Sequence, residues 1–296
     1  LRLNKNLGDW DWDLLANFQI EELREVGFEE AELLKNFDLS PEDAKDDVIP
    51  DSAPPVAKLG DIWALGRHRL MCADSTKKED VEKLMDGKKA DMLFVDPPYG
   101  MNLDTDFSDM KGIGRGKKYN KVIGDDKSFN PQPFIDLFIG IEQFWWGADY
   151  YSDNINTLIR NNGSWFVWDK TESGIRTNSA YEKQFGSNFE LCWSYIKHKR
   201  QIVPCLWKGI FGLSKEDIKK RIHPTQKPTR LIEWFLTHFS KDNDLIVDLF
   251  LGSGSTLIAC EKTNRICYGM EIDLHYCDII IKRYEDFTGL KANKVS

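Results

Sequence analysis

Four consecutive residues, Asp96-Pro97-Pro98-Tyr99, close a compact apolar run and combine groups that could act on a planar amine. Two successive prolines remove two N–H donors and fix the backbone, which turns carbonyl groups outward. A carboxylate and an exposed carbonyl can then jointly accept the hydrogen bonds of one exocyclic amine. The adjacent aromatic ring can stack on the base that carries it. Modification of a flipped nucleobase nitrogen requires that set. The structural alternative is a Pro-Pro turn with a buried tyrosine.

Ile246-Val247-Asp248-Leu249-Phe250-Leu251-Gly252-Ser253-Gly254-Ser255-Thr256 reads as a buried strand, a glycine turn and a helix start. Glycines admit positive φ and a close backbone approach to a ligand. The helix N-terminus that follows offers free N–H groups to an anion or carboxylate. Glu271 closes the next strand about 20 residues on, where nucleoside-binding folds place the acid that holds ribose hydroxyls. The third glycine of the dinucleotide fingerprint is missing, which disfavours a nicotinamide cofactor. A third segment, His223-Pro224-Thr225-Gln226-Lys227-Pro228, precedes the helix that leads into the glycine strand, and Pro228 suits that helix's first turn.

The elements that must position these residues follow from periodicity. Strands are expected at 69–73, 91–95, 164–168, 245–250 and 266–271, with a hairpin from 189–196 and 202–207. Helices are expected at 77–85, 134–146, 231–239, 255–261 and 275–284. Residues 100–131 show no apolar period and are expected as a long loop. Alternating strands and helices predict a mostly parallel sheet covered on both faces. Before this region, residues 1–49 read as helices and 46–55 as an acidic, proline-containing linker.

The chain has 296 residues, 41% hydrophobic and 30% charged, enough to bury a sizeable core without metals or disulfides. No apolar run approaches a membrane span and no secretory signal is visible. It opens on Leu1 rather than Met, so upstream sequence is expected. Its six cysteines form no C-x-x-C pair. No metal site is expected, and the thiols read as the buried, reduced cysteines of a cytoplasmic protein. The net charge of −8 is uneven: residues 1–57 hold 15 acidic and 5 basic side chains, and the remainder 33 and 35. The acidity therefore does not exclude an anionic partner.

In their order, Asp-Pro-Pro-Tyr, His-Pro-Thr-Gln-Lys-Pro and Phe-Leu-Gly-Ser-Gly-Ser-Thr, these segments resemble the β class of DNA amino-methyltransferases over about 60–286. The resemblance implies a circularly permuted, Rossmann-like α/β fold that binds S-adenosyl-L-methionine. The domain would span 58–296, after an N-terminal helical segment and linker at 1–57. Asp96, Pro97, Pro98 and Tyr99 would be catalytic. Asp74, Asp248, Phe250, Gly252, Gly254, Ser255, Thr256 and Glu271 would hold the cofactor. Thr225, Gln226 and Lys227 would flank its methionine end. Ser255 stands where many relatives have Thr. Asp at the first motif position favours adenine N6 over cytosine N4 by family habit, with direct transfer and no covalent intermediate. N4-cytosine methylation and a catalytically silent DNA-binding module are the alternatives. Methylation of RNA or a protein glutamine fits less well, because those enzymes usually place the glycine loop first. Leu1-Arg2-Leu3-Asn4-Lys5-Asn6 with Gly8-Asp9-Trp10-Asp11-Trp12-Asp13 resembles the tail of a ParB-like domain, found before methyltransferases in some phage and mobile-element proteins.

The expected partner is double-stranded DNA. Lys111, Arg115, Lys117, Lys118 and Lys121, interleaved with glycines after Tyr99, could clamp its phosphates. Lys199, Arg200, Lys219, Lys220 and Arg221 form a second basic group in a short target-recognition insert near 197–222. A homodimer and a cognate restriction endonuclease are further partners that the resemblance admits.

Overall fold

A computed structural model describes residues 47, 49–50, 53–102, 121–155, 162–170, 187–205 and 226–295. Among the described residues, ten strands form one mixed sheet: β1 Ile62–Leu65, β2 His68–Cys72, β3 Met92–Val95, β4 Glu142–Trp146, β5 Ser164–Asp169, β6 Phe189–Ser194, β7 Gln201–Pro204, β8 Leu245–Asp248, β9 Ile266–Glu271 and β10 Asn293–Lys294. Their spatial order is β10-β1-β2-β9-β8-β3-β4-β6-β5-β7. The five central strands, β2 to β4 in that order, pair in parallel. The helices are α1 Lys78–Met85, α2 Gln132–Leu137, α3 Thr229–Phe239, α4 Ser255–Lys262 and α5 Leu274–Thr288.

β3 shows why the central strands read as continuous apolar runs. All four of its side chains are buried. Met92 and Phe94 pack into one cluster with Leu231 and Phe235 of α3 and Leu257 of α4. Leu93 and Val95 point the other way, into a cluster with Val81 and Leu84 of α1 and Phe134 and Ile135 of α2. A sheet covered on both faces needs apolar residues at every position, not at alternate ones. Among the described residues, no helix is long and apolar enough to cross a membrane. All six cysteines are buried.

The expected helix at 134–146 is corrected. Only α2 is helical there; Gly140, at φ 89°, breaks the run, and 142–146 is strand β4. Periodicity cannot separate a doubly buried strand from a buried helix. The expected hairpin is also corrected. β6 pairs antiparallel with β4 and β5, whereas β7 pairs in parallel with β5 on its far side. β1 and β10, which extend the opposite edge, were not expected.

The described part of the expected linker is anchored on the helices. Asp278 of α5 accepts the N–H groups of Val56 and Ala57 at 2.9 and 2.8 Å. Asp47 accepts the Thr229 N–H at 2.8 Å, at the start of α3. Of the residues 1–49 expected as helices, 47 and 49 are not helical, and 1–46 and 48, with the ParB-like residues among them, lie outside the described residues.

Parallel pairing aligns the carboxyl ends of the strands. Cys72 lies level with Glu271, and Asp248 with Gly269. Asp74, Glu271, Asp248 and Asp96 thus emerge at one end of the sheet, where open α/β folds bind ligands.

Candidate active site

These four carboxylates line a single cleft of about 1240 Å³. One half is built around Asp96. Tyr99 donates its hydroxyl to Asp96 Oδ1 at 2.6 Å, and the Lys227 ammonium donates to Oδ2 at 2.7 Å. Lys227 also reaches the Tyr99 hydroxyl at 3.3 Å and Glu190 Oε2 at 3.2 Å. Lys170 pairs with Glu190 Oε1. Burial pushes the Asp96 carboxyl up, and Lys227 opposes that shift. Burial alone would lower Lys227, but Asp96 and Glu190 together raise it, so it stays a cation. Burial also pushes Glu190 up, yet Lys227 and Lys170 outweigh it and hold that carboxyl below its usual value. The Tyr99 phenol is pushed well up by burial and by Asp96, which keeps it a donor.

The Tyr99 ring is set by its neighbours. Tyr150 stacks on it at 5.1 Å between centroids with 10° between planes. Gly147 sits at φ 63°, and a Cβ there would collide with the Tyr99 ring, so glycine leaves the space the ring fills. Asp125 fixes the chain beyond Tyr99 by accepting the N–H groups of Gly100 and Met101 at 2.8 and 3.2 Å.

The other half surrounds the glycine turn. Glu271 accepts N–H groups from Gly252, Ile272 and Asp273 at 2.8, 2.9 and 2.8 Å. A carboxylate has about four acceptor positions, so one remains for a ligand. Burial outweighs these bonds and raises its pKa to about 7. Asp248 is likewise raised to about 7 by burial, against bonds from the Thr256 hydroxyl at 2.6 Å and the Phe250 N–H at 3.0 Å. Arg283 of α5 braces the turn from behind, donating to the Ser253 carbonyl at 2.9 Å and Ser255 Oγ at 3.2 Å. Asp74 accepts the Thr76 N–H and hydroxyl.

Of the residues expected around a cofactor, Asp74, Asp248, Phe250, Gly252, Ser255, Thr256, Glu271, Gln226 and Lys227 line the cleft. Lys227 turns its ammonium to Asp96. Gly254 serves packing: at φ 88° it caps α4, and a Cβ there would stand 3.2 Å from Ile280 of α5. Pro97 and Pro98 line the cleft beside Asp96. Lys121 is exposed at the cleft, and Lys199 and Arg200 are exposed between β6 and β7. Thr225, Lys111, Arg115, Lys117, Lys118, Lys219, Lys220 and Arg221 lie outside the described residues. Glu190, Lys170 and Tyr150 were missed; the one signal for Glu190 was an isolated acid in an apolar strand.

Residues 90–282 match a family described as DNA methylase, labelled for N6 and N4. Type II methyltransferase M.HinfI of Haemophilus influenzae is 26% identical over 251 residues, 71% of this chain and 67% of that protein. Type II methyltransferase M.HpaI of Haemophilus parainfluenzae is 22% identical over 258 residues, 76% of this chain and 77% of that protein. Among solved structures, the M1.HpyAVI–SAM complex matches with 18% identity and a TM-score of 0.45, covering 72% of this chain and 97% of that chain. The cytosine-N4-specific PvuII DNA methyltransferase matches with 14% identity and a TM-score of 0.41, over 81% and 97%.

Proposed function

We propose that this chain, which belongs to the N6/N4 DNA methylase family, transfers a methyl group from S-adenosyl-L-methionine to adenine N6 at specific sites in duplex DNA. The observation that carries this reading is the single cleft shared by the Asp96–Tyr99 pair and the acids of the glycine turn. The donor set of the cleft suits the cofactor. Glu271 keeps an acceptor position for a ribose hydroxyl, and Asp74 and Asp248 add negative charge for a molecule with a cationic sulfonium and ammonium. When bound, S-adenosyl-L-methionine supplies the electrophilic methyl.

The remaining work belongs to the chain. Asp96 accepts an N–H of the target amine and, with the Pro97 carbonyl, aims its lone pair. Tyr99 orients Asp96 through its hydroxyl and offers its ring to the flipped base. Tyr150 covers the Tyr99 ring and must yield or reposition as the base enters. As the new N–C bond would form and the methyl's bond to the sulfonium sulfur would break, the amine would give up one proton to the Asp96 carboxylate. Rate enhancement comes chiefly from positioning, since holding reactants in line is worth about 7–11 kcal/mol at best. The names of the two Type II relatives support a site-specific reaction. Single-molecule sequencing of DNA from cells expressing the protein tests the reading. N6-methyladenine in one short motif is the expected result, and N4-methylcytosine in its place would reassign the base.

A further inference from the structure

We propose that Glu190 is a positioning residue for methyl transfer: it shares the Lys227 ammonium with Asp96 and thereby sets how strongly Asp96 accepts a hydrogen bond from the target amine. The proposal rests on the reading of Asp96 as the amine's acceptor.

The geometry is a row of alternating charges. Lys227 Nζ stands 2.7 Å from Asp96 and 3.2 Å from Glu190, with its side chain only 5% exposed. Lys170 pairs with the far oxygen of Glu190. The three protons of the Lys227 ammonium face Asp96, the Tyr99 hydroxyl and Glu190, and the ammonium lies 4.9 Å from the centre of the Trp146 ring. An ammonium facing Asp96 alone would keep it ionised but would also draw off its electron density. Acceptor strength follows basicity, so a carboxylate held that tightly is a poor partner for an amine. Glu190 divides the ammonium's pull and adds a negative neighbour. Asp96 then stays ionised and remains basic. In a buried site these charges act over several ångströms with little screening.

Other titratable groups face the row. Asp248 at the end of β8 acts on Asp96, and Asp149 after β4 acts on Glu190. Cys192 of β6 and Tyr151 lie behind it, both pushed up by burial and so uncharged. Asp248 titrates near 7, so each variant must be compared with the wild-type chain under the same cofactor saturation.

The test is the pH profile of kcat between about pH 5 and 9. It uses the full chain, unmethylated genomic DNA and saturating tritium-labelled S-adenosyl-L-methionine. Lys227→Met leaves two buried carboxylates without their shared cation and should raise the acid limb by about 1–3 pH units. Glu190→Gln keeps the shape, removes the like charge and should lower that limb by about one unit. Lys170→Met removes the cation from Glu190 and should move the limb upward. Opposite shifts in Glu190→Gln and Lys170→Met, with cofactor KM unchanged, are the expected result. An unmoved limb in both, or shifts of the same sign, overturns the proposal. If Glu190→Gln loses its cooperative melt, Lys170→Met carries the test, because its side chain lies near the rim at 17% exposure; an unmoved or lowered limb there overturns the proposal. Failure of the underlying reading is distinguishable: Asp96→Asn would then methylate at the wild-type rate whatever the limb does.

Discussion

The Lys227 ammonium lies 2.7 Å from the Asp96 carboxylate across 131 positions of sequence. It ties the segment just before α3 to the residue after β3, so the motif that precedes the glycine strand meets the one that ends the apolar run. The bond gives the site a fixed charge pattern before any ligand enters. Tyr99 completes it from the other carboxylate oxygen.

Tyr99→Phe separates the two roles of that residue. The ring remains, and the hydroxyl bond to Asp96 is lost. A hydrogen bond to a charged group contributes about 1.5–3 kcal/mol, so kcat should fall roughly 10- to 100-fold. Equilibrium binding of DNA should change little. Gly147→Ala should act on the same ring from outside, since the new methyl needs the space Tyr99 occupies. Thermal unfolding and kcat measured together should show both reduced in each variant, with DNA binding retained in Tyr99→Phe.

Gly254→Ala should lower stability before it alters binding. Its φ of 88° is unfavourable for alanine, and its Cβ would crowd Ile280. A loss of about 1 kcal/mol or more is expected. Chemical denaturation should show it, and in a double-mutant cycle with Ile280→Ala, which removes both Cγ atoms, Gly254→Ala should become less costly by the steric part alone. Full recovery would mean that the backbone conformation costs nothing.

Asp248 and Glu271 predict two opposite pH effects. Each carboxyl is raised to about 7 in the folded chain, above its unfolded value near 4. The fold therefore prefers them protonated. Their contribution to stability is full below about pH 4 and is lost as pH rises towards about 7. A cationic cofactor prefers them ionised, so its affinity should rise through pH 7 with release of protons. Calorimetry in buffers of different ionisation enthalpy should detect that release, and Glu271→Gln should diminish it.

Lys199→Ala with Arg200→Ala should weaken duplex binding for all sequences alike. Both side chains are exposed in the turn between β6 and β7. Each phosphate contact removed should reduce the log–log salt slope by about 0.9. A change in preferred sequence at constant slope would show that they read bases instead.

The strands that lead to Asp96, Asp248 and Glu271 were legible because buried central strands read as short apolar runs closed by a turn. β4 was not, because Gln143 and three aromatic residues carry no alternation when both sheet faces are covered. Gly140 was the overlooked stop. The site residues nearest the motifs were legible by type, but their partners were not. Lys227 has a local sequence context that places it just before a helix; only the parallel pairing of β8 with β3 brings it to Asp96. Glu190 lies in a strand whose pairing was misread as a hairpin, and placing it against Lys227 required β6 to sit beside β4.

The most direct test of the account is nucleoside mass spectrometry of unmethylated DNA after incubation with S-adenosyl-L-methionine and either the wild-type chain or Asp96→Ala. The account predicts N6-methyladenine from the wild-type chain and none from Asp96→Ala, with cofactor affinity retained in the variant. N6-methyladenine formed by Asp96→Ala at a rate near wild type would contradict it.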